Sequence, residues 1–253
     1  MKLIRSTLFN VYYFLITLFI CLEGMILGLF SMRLCALNAR LWGFLLLFGL
    51  RWLAGVKCEV KGKENLPEKG PYIVASKHQS ALETIAFHAL LPSPAYILKK
   101  ELQYIPLFGW NLKLTGCVPI DRSSGTKAMR SILHGSEMRL KQKRPVVIFP
   151  EGTRTRPGAT TRYNPGVGLL YEQFDVPVIP VALNTGYFWA KNAFLKNPGT
   201  LTIEFLPPMP KGLDKREFIK ELQNRIEAAC AAMPVPEWAE KTAERDEEKA
   251  SGN

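Results

Sequence analysis

His78-Gln79-Ser80-Ala81-Leu82-Glu83 places a carboxylate five residues after an imidazole, directly behind the strand-like apolar run Tyr72-Ile73-Val74-Ala75-Ser76. A neutral imidazole can take a proton from a hydroxyl near pH 7. A carboxylate beside it fixes the ring tautomer and stabilises the imidazolium that forms. A second polar cluster, Phe149-Pro150-Glu151-Gly152-Thr153-Arg154, follows another apolar run, Val146-Val147-Ile148. Here Gly152 allows close backbone approach, Thr153 offers a hydroxyl, and Arg154 is a planar, permanently charged fork suited to phosphate. Arg122 supplies a second fork after the apolar run 117–120, and Lys99 follows the run 95–98. These types in this pattern point to proton abstraction on a substrate that carries an anionic group.

Each residue also has a plainer reading. Ser80-Ala81-Leu82-Glu83 is an S-x-x-E capping box, in which Glu83 would only bind a backbone N–H at a helix start. The two oxygens of the carboxylate could divide the two tasks. Glu151 is either an ion-pair partner for Arg154 or a ligand to a substrate hydroxyl. His88 and His134 lie in helical patterns without a polar constellation, which makes them structural or solvated. No G-x-S-x-G nucleophile motif is present, so an attacking hydroxyl would belong to the substrate.

Positioning such groups requires a rigid frame. Short apolar runs at 72–76, 95–98, 117–120, 146–149, 178–182 and 201–205 alternate with helical patterns at 80–91, 126–142 and 165–173. Near-continuous apolar strands separated by helices predict an α/β fold, with a mostly parallel central sheet flanked by helices. A last helix is expected over 214–232, capped by Asp214 and stopped before Pro234. His78, Lys99, Arg122 and the 151–154 loop all fall just past the carboxyl ends of strands, the edge where open α/β sheets bind ligands.

The first 57 residues differ from the rest. Glu23 is the only charged residue between Thr7 and Phe30, and a helix of that length spans roughly 36 Å, enough for a bilayer core. No small-x-small cleavage site closes the run, which favours an anchor over a removed signal. The stretch 34–50 is short for a full span and carries Arg40, so an interfacial or re-entrant helix, or a helix buried on the domain, is expected. The organisation is therefore 1–57 membrane-anchoring helices, 58–236 the α/β domain and 237–253 a charged, disordered tail. A formal charge of +11, from 33 basic and 22 acidic residues, without a zinc-finger, RNP or helix-turn-helix signature disfavours nucleic acid and points to anionic membrane lipid. Five cysteines without close pairs imply neither disulfides nor a metal site, and fit a domain facing a reducing cytoplasm.

Four blocks in order resemble the 1-acylglycerol-3-phosphate acyltransferase family. They are the H-x4-D box at His78 to Glu83, with Glu for the usual Asp; Gly116-Cys117-Val118-Pro119-Ile120-Asp121-Arg122; Phe149 to Arg154; and Val176-Pro177-Val178-Ile179-Pro180-Val181. Order and spacing agree over roughly residues 70–182. The resemblance implies that His78 activates the sn-2 hydroxyl of lysophosphatidate, which attacks an acyl thioester of coenzyme A or acyl carrier protein and yields phosphatidate. It implies that Arg154, Arg122 and Lys99 hold the phosphate, that Glu151 and Gly152 shape the pocket, and that no metal or prosthetic group is needed; Thr153 is a further substrate-binding candidate through its hydroxyl. It further implies an integral enzyme of a bacterial inner membrane. The chain departs from the pattern at Glu83 and at Lys77, where Asn is usual. An H-x4-E box also occurs in lipid A-type acyltransferases, so a lipid A-type or ornithine lysolipid acceptor is an alternative, as is a non-catalytic lipid-binding module. If Glu83 serves to orient His78, Glu83→Asp should keep or improve activity.

Overall fold

The computed structural model describes residues 1–240. Helix α1 (Lys2–Gly28) turns back at residues 29–31 into α2 (Met32–Gly49), where the Ser31 hydroxyl accepts a hydrogen bond from the Arg33 amide. The two helices run antiparallel. Asn38 donates to the Ile20 carbonyl at 2.9 Å, the Trp42 indole to Thr17 at 3.0 Å, and the Tyr12 hydroxyl to the Leu45 carbonyl at 2.8 Å. A π-helical turn, Leu50–Ala54, prolongs α2, so the second apolar rod is longer than its sequence pattern predicts. Both rods are long and apolar enough to cross a bilayer. The outer face of α1 exposes Leu8, Val11, Phe14, Leu15, Phe19, Leu22 and Ile26. Such a continuous apolar face suits lipid rather than water.

The strands are β1 (Val56–Lys61), β2 (Ile73–Ser76), β3 (Ala95–Lys99), β4 (Val118–Ile120), β5 (Val146–Ile148), β6 (Val178–Leu183) and β7 (Gly199–Phe205). They form one sheet in the order β1-β7-β6-β2-β5-β3-β4. The five strands β6, β2, β5, β3 and β4 run parallel; β7 is antiparallel to β6, and β1 is parallel to β7. β1 is a strand that the sequence reading placed at a domain boundary. Its alternation Val-Lys-Cys-Glu-Val-Lys, with Val56 buried and Lys57 and Lys61 exposed, is a half-buried edge pattern.

Alternation along each strand feeds two cores. Ile73, Ala75, Val146, Ile148 and Val178 pack against α5 (Thr126–Lys141), α6 (Gly166–Gln173) and α7 (Lys215–Ala231). Val74, Val147, Ile179 and Val181 face the opposite side, where α3 (Leu82–Leu90) supplies Leu82, Ala86 and Phe87, and α1 supplies Phe9. The α1/α2 pair thus packs on one face of the domain. Gly43 in α2 permits this approach: a Cβ there would lie 2.8 Å from the Ala89 amide nitrogen and 2.9 Å from the Ile85 carbonyl of α3. A short helix not foreseen from sequence, α4 (Phe108–Leu114), closes the gap between β3 and β4 and ties to α1 through Asn111, which donates to the Cys21 carbonyl at 2.9 Å. Residues 237–240 form a helical turn after Pro236, and the remainder of the expected tail lies outside the described residues.

Candidate active site

Parallel strands deliver their following loops to one edge of the sheet. Four loops therefore converge: 77–81 after β2, 99–104 after β3, 121–125 after β4 and 149–156 after β5. His78 lies in the first of these, ahead of α3, which begins at Leu82 rather than at Ser80. Its Nδ1 sits 2.8 Å from Glu83 Oε1, and its ring stacks on Phe149 with centroids 4.0 Å apart. With Nδ1–H donated to the carboxylate, Nε2 is the nitrogen left for a substrate.

The Glu83 carboxylate is fully buried, and its bonds answer the capping question. Oε1 accepts from the Gln79 and Ser80 amides, each at 2.8 Å, as well as from His78. Capping and orientation therefore converge on one oxygen instead of being shared between two. Oε2 accepts from the Thr185 hydroxyl at 2.7 Å, in the loop after β6. The Ser80 hydroxyl accepts from the Leu82 amide at 3.2 Å, just ahead of α3, and donates to the Trp189 carbonyl at 2.6 Å. The longer reach of Glu over Asp thus allows four donors to meet one carboxylate.

Glu151 has a different place from the one expected. Its carboxylate is buried and turned beneath the loop, 2.9 Å from Lys77 Nζ, accepting from the His78 amide at 2.8 Å and the Thr155 hydroxyl at 2.7 Å. It pairs with Lys77, not Arg154, and positions the His78 backbone. Lys77 also bridges to Glu227 of α7 at 2.8 Å, and the Tyr163 hydroxyl donates to the same carboxylate at 3.1 Å. Burial works to lower the Lys77 pKa, but its hydrogen bonds and charge pairing with Glu151 and Glu227 outweigh it and hold the pKa above the ordinary value. The lysine that departs from the family pattern therefore sits in a buried pair beneath the His78 loop.

A cavity of about 310 Å³ opens beside His78. Lys99, Arg122, Gly152, Thr153 and Arg154 all line it. Arg122 donates to the Gly152 carbonyl and so joins the loops after β4 and β5. Gly152 holds φ at 69°, and a Cβ there would lie 2.7 Å from the Asn164 side-chain nitrogen. Arg154 has no hydrogen-bond or ion-pair partner among the described residues, while exposed Lys99 lies 3.5 Å from Glu101. A further cation, Lys191, lines the mouth and donates to the Thr153 hydroxyl at 3.3 Å. The inner wall is apolar and shared between the domain and the N-terminal helices, with Ile20, Trp42, Leu98, Phe108 and Leu112. A cationic mouth beside the His78–Glu83 pair, leading to an apolar interior, suits a molecule with an anionic head and a hydrocarbon chain.

Three contributors were missed in the sequence. Lys191 carries no motif. Thr185 and Trp189 follow β6, whose carboxyl end lies at the same edge. The placement rule that singled out the other loops also applied to Asn184-Thr185-Gly186.

Comparison with known proteins adds to this geometry. A protein-family model described as acyltransferase matches residues 57–184. The chain is 38% identical over 178 residues to the 1-acyl-sn-glycerol-3-phosphate acyltransferase of Pseudomonas aeruginosa, covering 70% of this chain and 69% of that protein. It is 32% identical over 181 residues to the enzyme of the same name from Saccharomyces cerevisiae, covering 70% and 59%. The crystal structure of the 1-acyl-sn-glycerophosphate (LPA) acyltransferase from Thermotoga maritima superposes with a TM-score of 0.76 at 22% identity, over 93% of this chain and all of that one. That likeness extends through the N-terminal helices as well as the α/β domain.

Proposed function

The chain belongs to the acyltransferase family, and from that membership we propose that it transfers a fatty acyl group from a thioester to the sn-2 hydroxyl of lysophosphatidate, with His78 as general base. The observation that carries the reading is the His78–Glu83 pair at the mouth of a cavity that is cationic outside and apolar within. The names of the relatives support the acceptor.

In this mechanism the lysolipid phosphate lies among Arg122, Arg154 and Lys99, whose fixed charges favour a phosphomonoester. Its sn-2 hydroxyl approaches His78 Nε2 and gives up its proton as the oxygen attacks the thioester carbonyl. Glu83 holds the Nδ1–H tautomer and stabilises the imidazolium. When the tetrahedral intermediate collapses, the C–S bond breaks and the imidazolium returns its proton to the departing thiolate. The enzyme forms no covalent bond to the acyl group. The outer faces of α1 and α2 lie in an anionic membrane, so the cavity receives both chains from lipid. The thioester carrier is coenzyme A or acyl carrier protein, and the catalytic domain faces the cytoplasm.

The test is acyl transfer by detergent-solubilised protein given oleoyl- and palmitoyl-thioesters with a panel of lysolipids. Phosphatidate formation is expected. His78→Ala should lower kcat by roughly 10²- to 10⁴-fold, the usual worth of a general base, while the chain stays in the membrane fraction. Full transfer by His78→Ala would sink the base assignment. Transfer to another lysolipid alone would move the acceptor.

A further inference from the structure

His88 lies four residues beyond Thr84 on α3, one helical turn or about 6 Å along its axis, and both side chains line the cavity. The sequence reading set this histidine aside as structural or solvated; the structure places it in the wall of the cavity. It is only 8% exposed, yet neither ring nitrogen has a hydrogen-bond partner among the described residues. Its ring lies edge-on to Trp42, with centroids 5.7 Å apart, and 5.0 Å from Tyr96. The neighbouring polar groups have already spent their donors within the protein. Trp42 donates to Thr17, Thr84 to the Ala81 carbonyl, and Tyr96 to the Thr84 carbonyl.

Burial, reinforced by the charge of Arg144, pushes the His88 pKa down to about 4, so the ring is neutral at working pH. It therefore presents one N–H donor and one bare nitrogen acceptor. A saturated hydrocarbon entering the cavity would displace water from this ring and answer neither group, which is costly for a buried polar side chain. Phenylalanine would fill the same aromatic contacts without that cost. A hydroxyl on the chain answers the imidazole as donor or as acceptor.

We propose that His88 is a specificity-determining residue, and that the cavity selects acyl chains carrying an in-chain hydroxyl that bonds to its imidazole. The inference rests on the acyl-transfer reading for what fills the cavity. It requires no change in the chemistry at His78.

The experiment is internal competition. Purified full-length protein receives equal amounts of a plain acyl thioester and the same chain hydroxylated at one position, moved along the chain in successive trials. Product ratios are read by mass spectrometry for the wild type and for His88→Phe. The ratio does not depend on how much of the variant folds. The wild type should favour the hydroxylated chain over His88→Phe by roughly twofold to tenfold, the worth of one neutral hydrogen bond, at one or two adjacent positions only. Equal ratios in the two proteins at every position would overturn the proposal, as would a preference that persists in His88→Phe. Binding of the free hydroxy and parent fatty acids, followed by tryptophan fluorescence, keeps the question separate from the reaction. If lysophosphatidate is not acylated, a hydroxyl preference in binding that His88→Phe abolishes still supports the selectivity. Its absence still refutes it.

Discussion

Glu83→Asp is the substitution whose outcome the structure reverses. Considered as a motif, an aspartate would restore the family pattern and keep or improve activity. In the structure Oε1 takes three donors, from His78 and from the Gln79 and Ser80 amides, while Oε2 takes the Thr185 hydroxyl. Removing a methylene draws the carboxylate back by about 1.5 Å, the length of one C–C bond. The 2.7–2.8 Å contacts on both oxygens cannot all survive that shift. The amides belong to the turn that starts α3, so the contact to Thr185 on the neighbouring loop is the one expected to break. A hydrogen bond to a charged group contributes about 1.5–3 kcal/mol, so kcat/KM should fall by roughly 10- to 100-fold. Thr185→Val should produce a loss of similar size in the Glu83 background. In the Glu83→Asp background it should add little, because the bond is already gone, giving a coupling of about 1.5–3 kcal/mol in a double-mutant cycle. The assay is phosphatidate formation at saturating thioester. Undiminished turnover by Glu83→Asp, or losses from the two substitutions that simply add, would refute the reasoning.

Two further outcomes follow from the buried lysines. Lys77→Met leaves Glu151 and Glu227 without their shared cation; breaking a buried pair costs about 3–5 kcal/mol, so melting should drop by roughly 6 °C or more, and a fall under about 2 °C would show that the pair contributes little. Lys196 is 2% exposed and lies against α1, where its amide donates to the Ser6 hydroxyl at 2.9 Å and its ammonium sits 4.1 Å from the Trp189 ring centre. Burial lowers its pKa from 10.5 to about 8, so between these values the unfolded chain holds a proton that the folded chain has lost. Its contribution to stability should therefore rise with pH from about 8 to 10.5 and be flat below; chemical unfolding of wild type and Lys196→Met across that window checks the sign, and identical slopes would remove it.

The sheet edge that carries the candidate site was legible because its signals are local. Short, near-continuous apolar runs place β2, β3, β4 and β5, and a residue just past each run must emerge at the same edge once those strands are parallel. That reasoning located His78, Lys99, Arg122 and the loop containing Arg154 without knowledge of strand order. It also anticipated that His78 would stand in a loop ahead of its helix. The long first apolar helix was legible for a similar reason, since a run of that length with one charge has few environments open to it.

Strand order has no local signal, and the remaining features of the site depend on it. β6 lies beside β2, so the loop carrying Thr185 reaches Glu83 across 102 residues, and a carboxylate that reads as a helix cap becomes the centre of a four-donor network. Lys77 meets Glu227 across 150 residues because α7 packs beneath the β2 loop, so the apparent anomaly in the motif is an ion pair that the motif cannot display. Glu151, read from its neighbours as a pocket residue, is turned under the loop by the same cluster. His88 sits on a helical pattern that only says one face is buried. Whether that face meets packed side chains or an open cavity is decided by where α1 and α2 come to rest on α3, and no spacing along the chain encodes that contact.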